Sequence, residues 1–204
     1  MNTTEGIVII GLTGQSGAGK STAAEMLRAR GFTFINCDDT ARKAASIPKF
    51  LDEVAELFPS CVENGTLKRQ ELAAIVFNDA VLLKRYNSLI FPYITAEIFK
   101  DIRHLKQSGA KSVILDAPTL FESDIHFLCD AIISVIAPLD LKIKRILERD
   151  GIPVELVTSR INAQHGEEFF KTRSDWVIIN DGDMSALEAQ IDALSAAIRE
   201  RFDV

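Results

Sequence analysis

The segment Gly14-Gln15-Ser16-Gly17-Ala18-Gly19-Lys20-Ser21 constrains this chain more than any other, because it fits G-x-x-x-x-G-K-[ST] and lies between two well-patterned runs. Before it, residues 6–12 (GIVIIGL) read as a buried strand. After it, residues 20–30 set Ala23, Ala24 and Leu27 at helical spacing, and Gly31 stands just past the end. Glycines in such a loop let the backbone turn sharply, so that successive N–H groups point into one hollow and bind phosphate oxygens. The positive end of the following helix strengthens that hollow. Residues Gly14 to Thr22 are therefore the expected ATP-binding P-loop. Lys20 is expected to reach the β- and γ-phosphates, and Ser21 to offer its hydroxyl to Mg²⁺.

The rest of the chain alternates short apolar runs with longer helical ones. Residues 32–36 read as a second strand, with helix from about Thr40. Strands resume at 112–116, 131–136 and 176–179, and helices are expected over 139–149, 154–164 and 184–201. The stretch 48–107 shows no convincing strand and several helical segments, including a long one after Pro92, with a turn at Gly65. Alternating strands and helices predict an α/β, three-layer fold around a parallel sheet. At 204 residues, with no repeat or linker-like tract, a single domain over residues 1–204 is expected, and the helical block 48–107 is an insertion within it.

Composition narrows the partners. A net charge of −6 argues against broad nucleic-acid binding, since phosphate backbones select a basic surface. Cys37, Cys61 and Cys129 are scattered and form no CxxC pair, which suits a reducing compartment and gives neither a disulfide frame nor a zinc site. The start, Met1 to Glu5, has no basic leader region, and no run approaches the ~18 apolar residues of a membrane span, so a cytoplasmic protein is expected.

Two carboxylate positions stand at strand ends. Asp116 closes the run SVILD and would emerge at the C-terminal edge of a parallel sheet, either to hold Mg²⁺ or to cap the next turn. Asp38 and Asp39 follow the second strand, beside the P-loop. Either would serve as the proton acceptor for a hydroxyl nucleophile, or as the cap of the helix from Thr40.

A set of ordered segments carries a family resemblance: GLTGQSGAGKST (11–22), INCDDTAR (35–42), NGTLKRQELAAIVF (64–77), LIFPYI (89–94), DAPTLFE (116–122), RINAQ (160–164) and SDWVIINDG (174–182). In these the chain resembles the dephospho-coenzyme A kinases, nearly end to end. The resemblance implies transfer of the ATP γ-phosphoryl group to the ribose 3′-hydroxyl of dephospho-CoA, the last step of coenzyme A synthesis. It implies Asp38 as the base, and Arg42 either as an acceptor-phosphate contact or as an ordinary exposed helical arginine. It gives block 48–107 to the acceptor's pantetheine end, and it sets the turn Asn180-Asp181-Gly182 against adenine, an alternative to a plain turn. The chain departs from the family at Asn36 (often Asp), Phe91 (often His), Lys142 (often Gln) and Gln15-Ser16 (usually Gly-Ile). Those departures bear on acceptor contact, Phe91 most directly.

A lid is expected over about 139–165. There Lys142, Arg145 and Arg149 share a helical face, and Arg145 first, then Arg149, would stabilise the transferring phosphoryl group; a solvated basic face is the alternative. His104, His126 and His165 read as isolated surface residues, and Trp176 as core. Two other functions fit parts of this pattern: a nucleoside or nucleotide monophosphate kinase, and a non-enzymatic ATP-binding regulatory module. The oligomeric state is not written in the sequence.

Overall fold

The computed structural model describes residues 6–204, so the Met1 to Glu5 start lies outside the described residues. Five parallel strands form the central sheet: β1 (Val8–Gly14), β2 (Phe34–Asn36), β5 (Ser112–Asp116), β6 (Ala131–Ile136) and β7 (Trp176–Ile179), in the order β2-β5-β1-β6-β7. Alternate residues point to opposite faces, as the pleat requires. Ile9, Val113 and Leu115 join one apolar cluster with α2 (Cys37–Ala44), α3 (Pro48–Leu57) and α5 (Ala80–Gln107). Ile10, Leu12 and Ile114 join a second cluster, with α1 (Lys20–Ala29) and α9 (Met184–Phe202). Helices thus cover both faces, the three-layer arrangement expected of strands buried on both sides.

Several local expectations are corrected. Strand β1 begins two residues later than its apolar run and continues through Gly14, because it pairs with β6 as far as Gly14↔Val135. Strand β5 lies between β2 and β1, with Asn36 opposite Asp116 and Leu12 on the far side of Asp116. Helix α2 starts at Cys37 rather than Thr40, because the Asn36 side chain accepts the amides of Asp38 and Asp39 at 2.9 and 3.1 Å.

Within 48–107 a two-stranded antiparallel hairpin, β3 (Val62–Glu63) and β4 (Thr66–Leu67), turns at Asn64-Gly65; it is too short to leave an alternating pattern. Helix α4 (Arg69–Val76) follows. Helix α5 runs through Pro92 instead of starting after it. Proline there removes one amide donor, to the carbonyl four residues earlier. The buried stripe Ile90, Ile94, Ile98 and Ile102 holds the helix on the core across that gap. Its start is fixed by Asp79, which accepts the Val81 and Leu82 amides at 2.8 and 3.1 Å.

After β6 come α6 (Leu139–Asp150), α7 (Val154–Asn162) and the short α8 (Glu167–Arg173), the last not foreseen. Ile146, Val157 and Ile161 form a small apolar cluster apart from the two main ones. Trp176 on edge strand β7 is half-buried, its ring near Phe202 and the Arg201 guanidinium. Among the described residues no helix is long and apolar enough to cross a membrane.

Phe50 of α3 is fully buried, edge-on to the rings of Tyr86 and Tyr93 at centroid distances of 6.3 and 5.3 Å. Replacing it with alanine should lower stability by about 3–5 kcal/mol. Urea unfolding reads this directly, and a loss under ~1 kcal/mol would mean that α3 and α5 do not share a tight core.

Candidate active site

Strand β1 delivers its last residues to the C-terminal edge of the sheet, and the chain then loops through Gln15 to Gly19 into α1. Gly19 is the N-cap, in left-handed backbone at φ 93°, and no side chain caps the helix. Its first amides are left for an external acceptor. The loop is also hemmed in from behind. A Cβ on Gly19 would lie 2.1 Å from Asn180 Nδ2, and one on Gly17 (φ 77°) would lie 2.7 Å from the Lys142 carbonyl oxygen. Glycine is required at both positions by backbone angle and by space.

Lys20 turns its ammonium onto the Asp116 carboxylate, which ends β5 and is 7% exposed. Arg28, one face of α1 further on, sets a guanidinium nitrogen 3.9 Å from the other carboxylate oxygen. Asp116 is thus an ion-pair partner in this state and not a turn cap. Ser21 and Asp116 line the same cavity. A hydroxyl and a carboxylate are hard oxygen donors of the kind Mg²⁺ takes together with phosphate and water oxygens. Among the described residues no three His, Cys, Asp or Glu side chains cluster into a self-sufficient metal cage.

Helix α2 gives its two acidic residues different surroundings. Asn36 caps the helix, which removes that job from both aspartates. Asp39 forms an ion pair with Arg42 one turn along. Asp38 faces the P-loop cavity with Asn36, Asp116 and Lys20. Behind it, burial chiefly, and then the charges of Asp116 and Asp38, push the Cys37 thiol up to about 12. That thiol stays protonated and inert at neutral pH.

The segment after β6 grips the P-loop from outside. Lys142 Nζ donates to Gln15 Oε1 at 2.7 Å, and Gln15 Nε2 donates to the His165 carbonyl at 3.0 Å. The Ser16 amide donates to Gln164 Oε1 at 2.8 Å. Arg145 holds the Gly17, Ala18 and Asn180 carbonyls at 3.3–3.4 Å, and its second nitrogen donates to Asn180 Oδ1 at 3.0 Å. Asn180 Nδ2 donates to the Ala18 carbonyl at 2.9 Å, so both ends of this buried amide are used on the protein. Arg149 lines the cavity beside Arg145 but is exposed. It pairs with Asp150, and Arg160 also reaches Asp150, at 2.5 Å; the two guanidiniums hold that carboxyl down at about 2.

The expected basic face of α6 is therefore split. Lys142 is buried, Arg145 is tied to backbone carbonyls, and Arg149 alone reaches outward. Gln164 and the His165 carbonyl were not foreseen as P-loop contacts; Gln164 lay in a singled-out segment, whereas a main-chain contact carries no sequence signal. His165 is close to the P-loop rather than remote, and its ring stacks on Phe169 at 3.7 Å. His126 packs between Phe121 and Phe127, its Nδ1 buried without a hydrogen-bond partner among the described residues.

Two cavities draw lining residues from both α2 and the segment after β5. One, of about 480 Å³, is lined by the P-loop, Asp38, Asp116, Pro118, Arg145 and Arg149. The other, of about 510 Å³, is largely apolar and is lined from α2, α4, α5 and residues 119–123, with Arg42 and Arg69 among its few charges. Asp38 faces the first and Arg42, one helical turn on, the second. Phe91 lines the second, where acceptor contact was expected; Lys142 belongs to neither and contacts the P-loop instead.

Residues 8–186 match the family model for dephospho-CoA kinase. A dephospho-CoA kinase of Deinococcus radiodurans is 39% identical over 90% of this chain and 89% of its own length. One from Thermus thermophilus is 34% identical over 94% and 92% respectively. A solved structure of a Thermus thermophilus protein superposes with a TM-score of 0.82 at 33% identity, covering 95% of this chain and 99% of that one.

The Gly19 geometry makes a direct prediction. Gly19→Ala should weaken ATP binding at least about tenfold, since a left-handed alanine alone costs roughly 1–2 kcal/mol before the Asn180 clash is counted. Calorimetric titration with ADP or ATP measures it; native affinity in the variant would mean that the loop geometry is not what binds nucleotide.

Proposed function

The chain belongs to the dephospho-CoA kinase family, and on that footing we propose that it transfers the γ-phosphoryl group of ATP to the ribose 3′-hydroxyl of dephospho-CoA, with Asp38 as the base. The single observation that supports this assignment of roles is that helix α2 lends side chains to two cavities, Asp38 to a polar phosphate cradle and Arg42, one turn on, to an apolar pocket.

The P-loop, Gly14 to Thr22, takes the ATP phosphates on its amides. Lys20 leaves Asp116 for the β- and γ-phosphate oxygens. Ser21 and Asp116 would hold Mg²⁺, whose chemistry there is to neutralise charge on the phosphates. As the 3′-oxygen attacks the γ-phosphorus, its proton passes to the Asp38 carboxylate, the bond to the β-phosphate oxygen breaks, and ADP leaves. Asp39 is occupied with Arg42, which favours Asp38 as the acceptor of that proton.

The lid arginines divide the work. Arg145, braced against three carbonyls, positions the P-loop and the nucleotide beside it; Arg149 is the side chain free to swing from Asp150 onto the transferring group. The Asn180 side chain braces Arg145 and Ala18, which leaves any recognition of adenine to its backbone neighbours. Residues 48–107 serve as the acceptor-binding insertion, their apolar cavity suiting the pantetheine arm and Arg42 and Arg69 the acceptor's phosphates. Residues 139–165 act as the lid, with their own small core, and the whole chain as one domain. Three free cysteines fit a reducing, cytoplasmic setting.

The test is ADP release from ATP and Mg²⁺, with and without dephospho-CoA. Acceptor-dependent turnover should fall about 10²–10⁴-fold in Asp38→Asn, with ATP still bound. Turnover that survives the substitution would keep the substrate and remove Asp38 from its role. Independently, Ala73→Trp, which fills the apolar cavity, should raise KM for dephospho-CoA roughly tenfold or more while ATP affinity holds. An unchanged KM would place the acceptor elsewhere.

A further inference from the structure

Lys142 is 5% exposed and Gln15 6%, yet both are polar and 127 positions apart. A buried ammonium lacking a directly bonded carboxylate is costly, and burial drives its pKa down, offset in part by the charge of Glu167 on α8. The ammonium donates to a neutral amide that belongs to the P-loop. That amide's other end is fixed on the His165 carbonyl beyond α7. The Lys142 carbonyl also backs Gly17 so closely that no Cβ fits between them. The Lys142 side chain and backbone therefore both lie against the loop, outside the lining of the cavity that the loop faces.

We propose that Lys142 and Gln15 form one positioning unit for the nucleotide polyphosphate: the buried ammonium, acting through the Gln15 amide, fixes the outer turn of the P-loop and adds positive charge behind the phosphate cradle. An anion on the front of the loop is then a second counter-charge for the ammonium, beside Glu167. Low surrounding polarity makes that attraction stronger than a surface lysine would give. Neither side chain touches the reacting atoms, so the unit acts on nucleotide affinity more than on the chemical step. This inference rests on the reading of the P-loop as the ATP site.

The experiment is ADP titration of the full chain as native protein, Lys142→Met, Gln15→Leu and the double variant, with kcat and both KM values. Each single variant should weaken ADP about 5- to 30-fold, the range of one broken buried contact. The double variant should bind no worse than the weaker single, since one unit has been removed once. KM for ATP should move most, kcat less and KM for dephospho-CoA least, a split that general destabilisation would not produce. Lys142→Gln, which keeps a donor and drops the charge, should fall between native and Lys142→Met.

Native ADP affinity in Lys142→Met, or losses that multiply in the double variant, overturns the proposal. If Lys142→Met does not fold, Gln15→Leu and Lys142→Gln decide it, and native affinity in both overturns it. A native chain that binds no ADP would instead sink the nucleotide-site reading beneath it.

Discussion

The parallel register of three strands is the constraint on which the rest depends. Leu12 and Asn36 both stand opposite Asp116, so β2 and β5 end level at one edge, and β1 runs two residues further there, to Gly14. Parallel strands present their C-terminal ends together, and whatever follows each strand is thrown into the same crevice. Here those followers are the P-loop, the cap of α2 and the carboxylate that meets Lys20. A slip of one residue in β5 would turn Asp116 to the opposite face and bury Lys20 without a partner.

Around that edge the molecule is unevenly built. The sheet and its two covering layers rest on large apolar clusters, whereas α6 and α7 share only Ile146, Val157 and Ile161 with a few half-buried neighbours. Low apolar content marks a unit that opens more easily than the core. What ties this unit to the site is polar: Gln15, Ser16, Gly17 and Ala18 each contact α6 or the residues after α7. Hydrogen bonds of that kind exchange readily for others, so a segment held this way can change partners without disturbing the sheet.

The sequence was most legible where chemistry and chain order coincide. Residues 14–21 announced the loop because glycine, lysine and serine occur at fixed offsets between a strand and a helix. Asp116 was legible as a strand-end carboxylate, since SVILD is a continuous buried run. Strand order was not, because β2 pairs with a strand some eighty residues away and nothing local records that. Asn36 looked like a departure from the family pattern and proved to be a helix cap. Lys142 and Gln15 were two separate oddities until the fold brought them within 2.7 Å. Pairings across such distances lie beyond periodicity, which reads only neighbours along one element. Pro92 misled for the opposite reason: a strong local signal lost to the burial of four isoleucines.

The pairing of Lys20 with Asp116 gives the resting site a property of its own. The lysine and the carboxylate neutralise each other, which leaves Arg145, Arg149 and Asp38 to set the charge of the crevice's lining. A single phosphate or sulfate ion can capture the lysine only by leaving Asp116 without its closest counter-ion, an unfavourable trade for a 7%-exposed carboxylate. A triphosphate arriving with a divalent cation would give each half of the pair a new partner at once. On the proposed reading, the internal ion pair would therefore give way to a nucleotide carrying its cation more readily than to a lone small oxyanion.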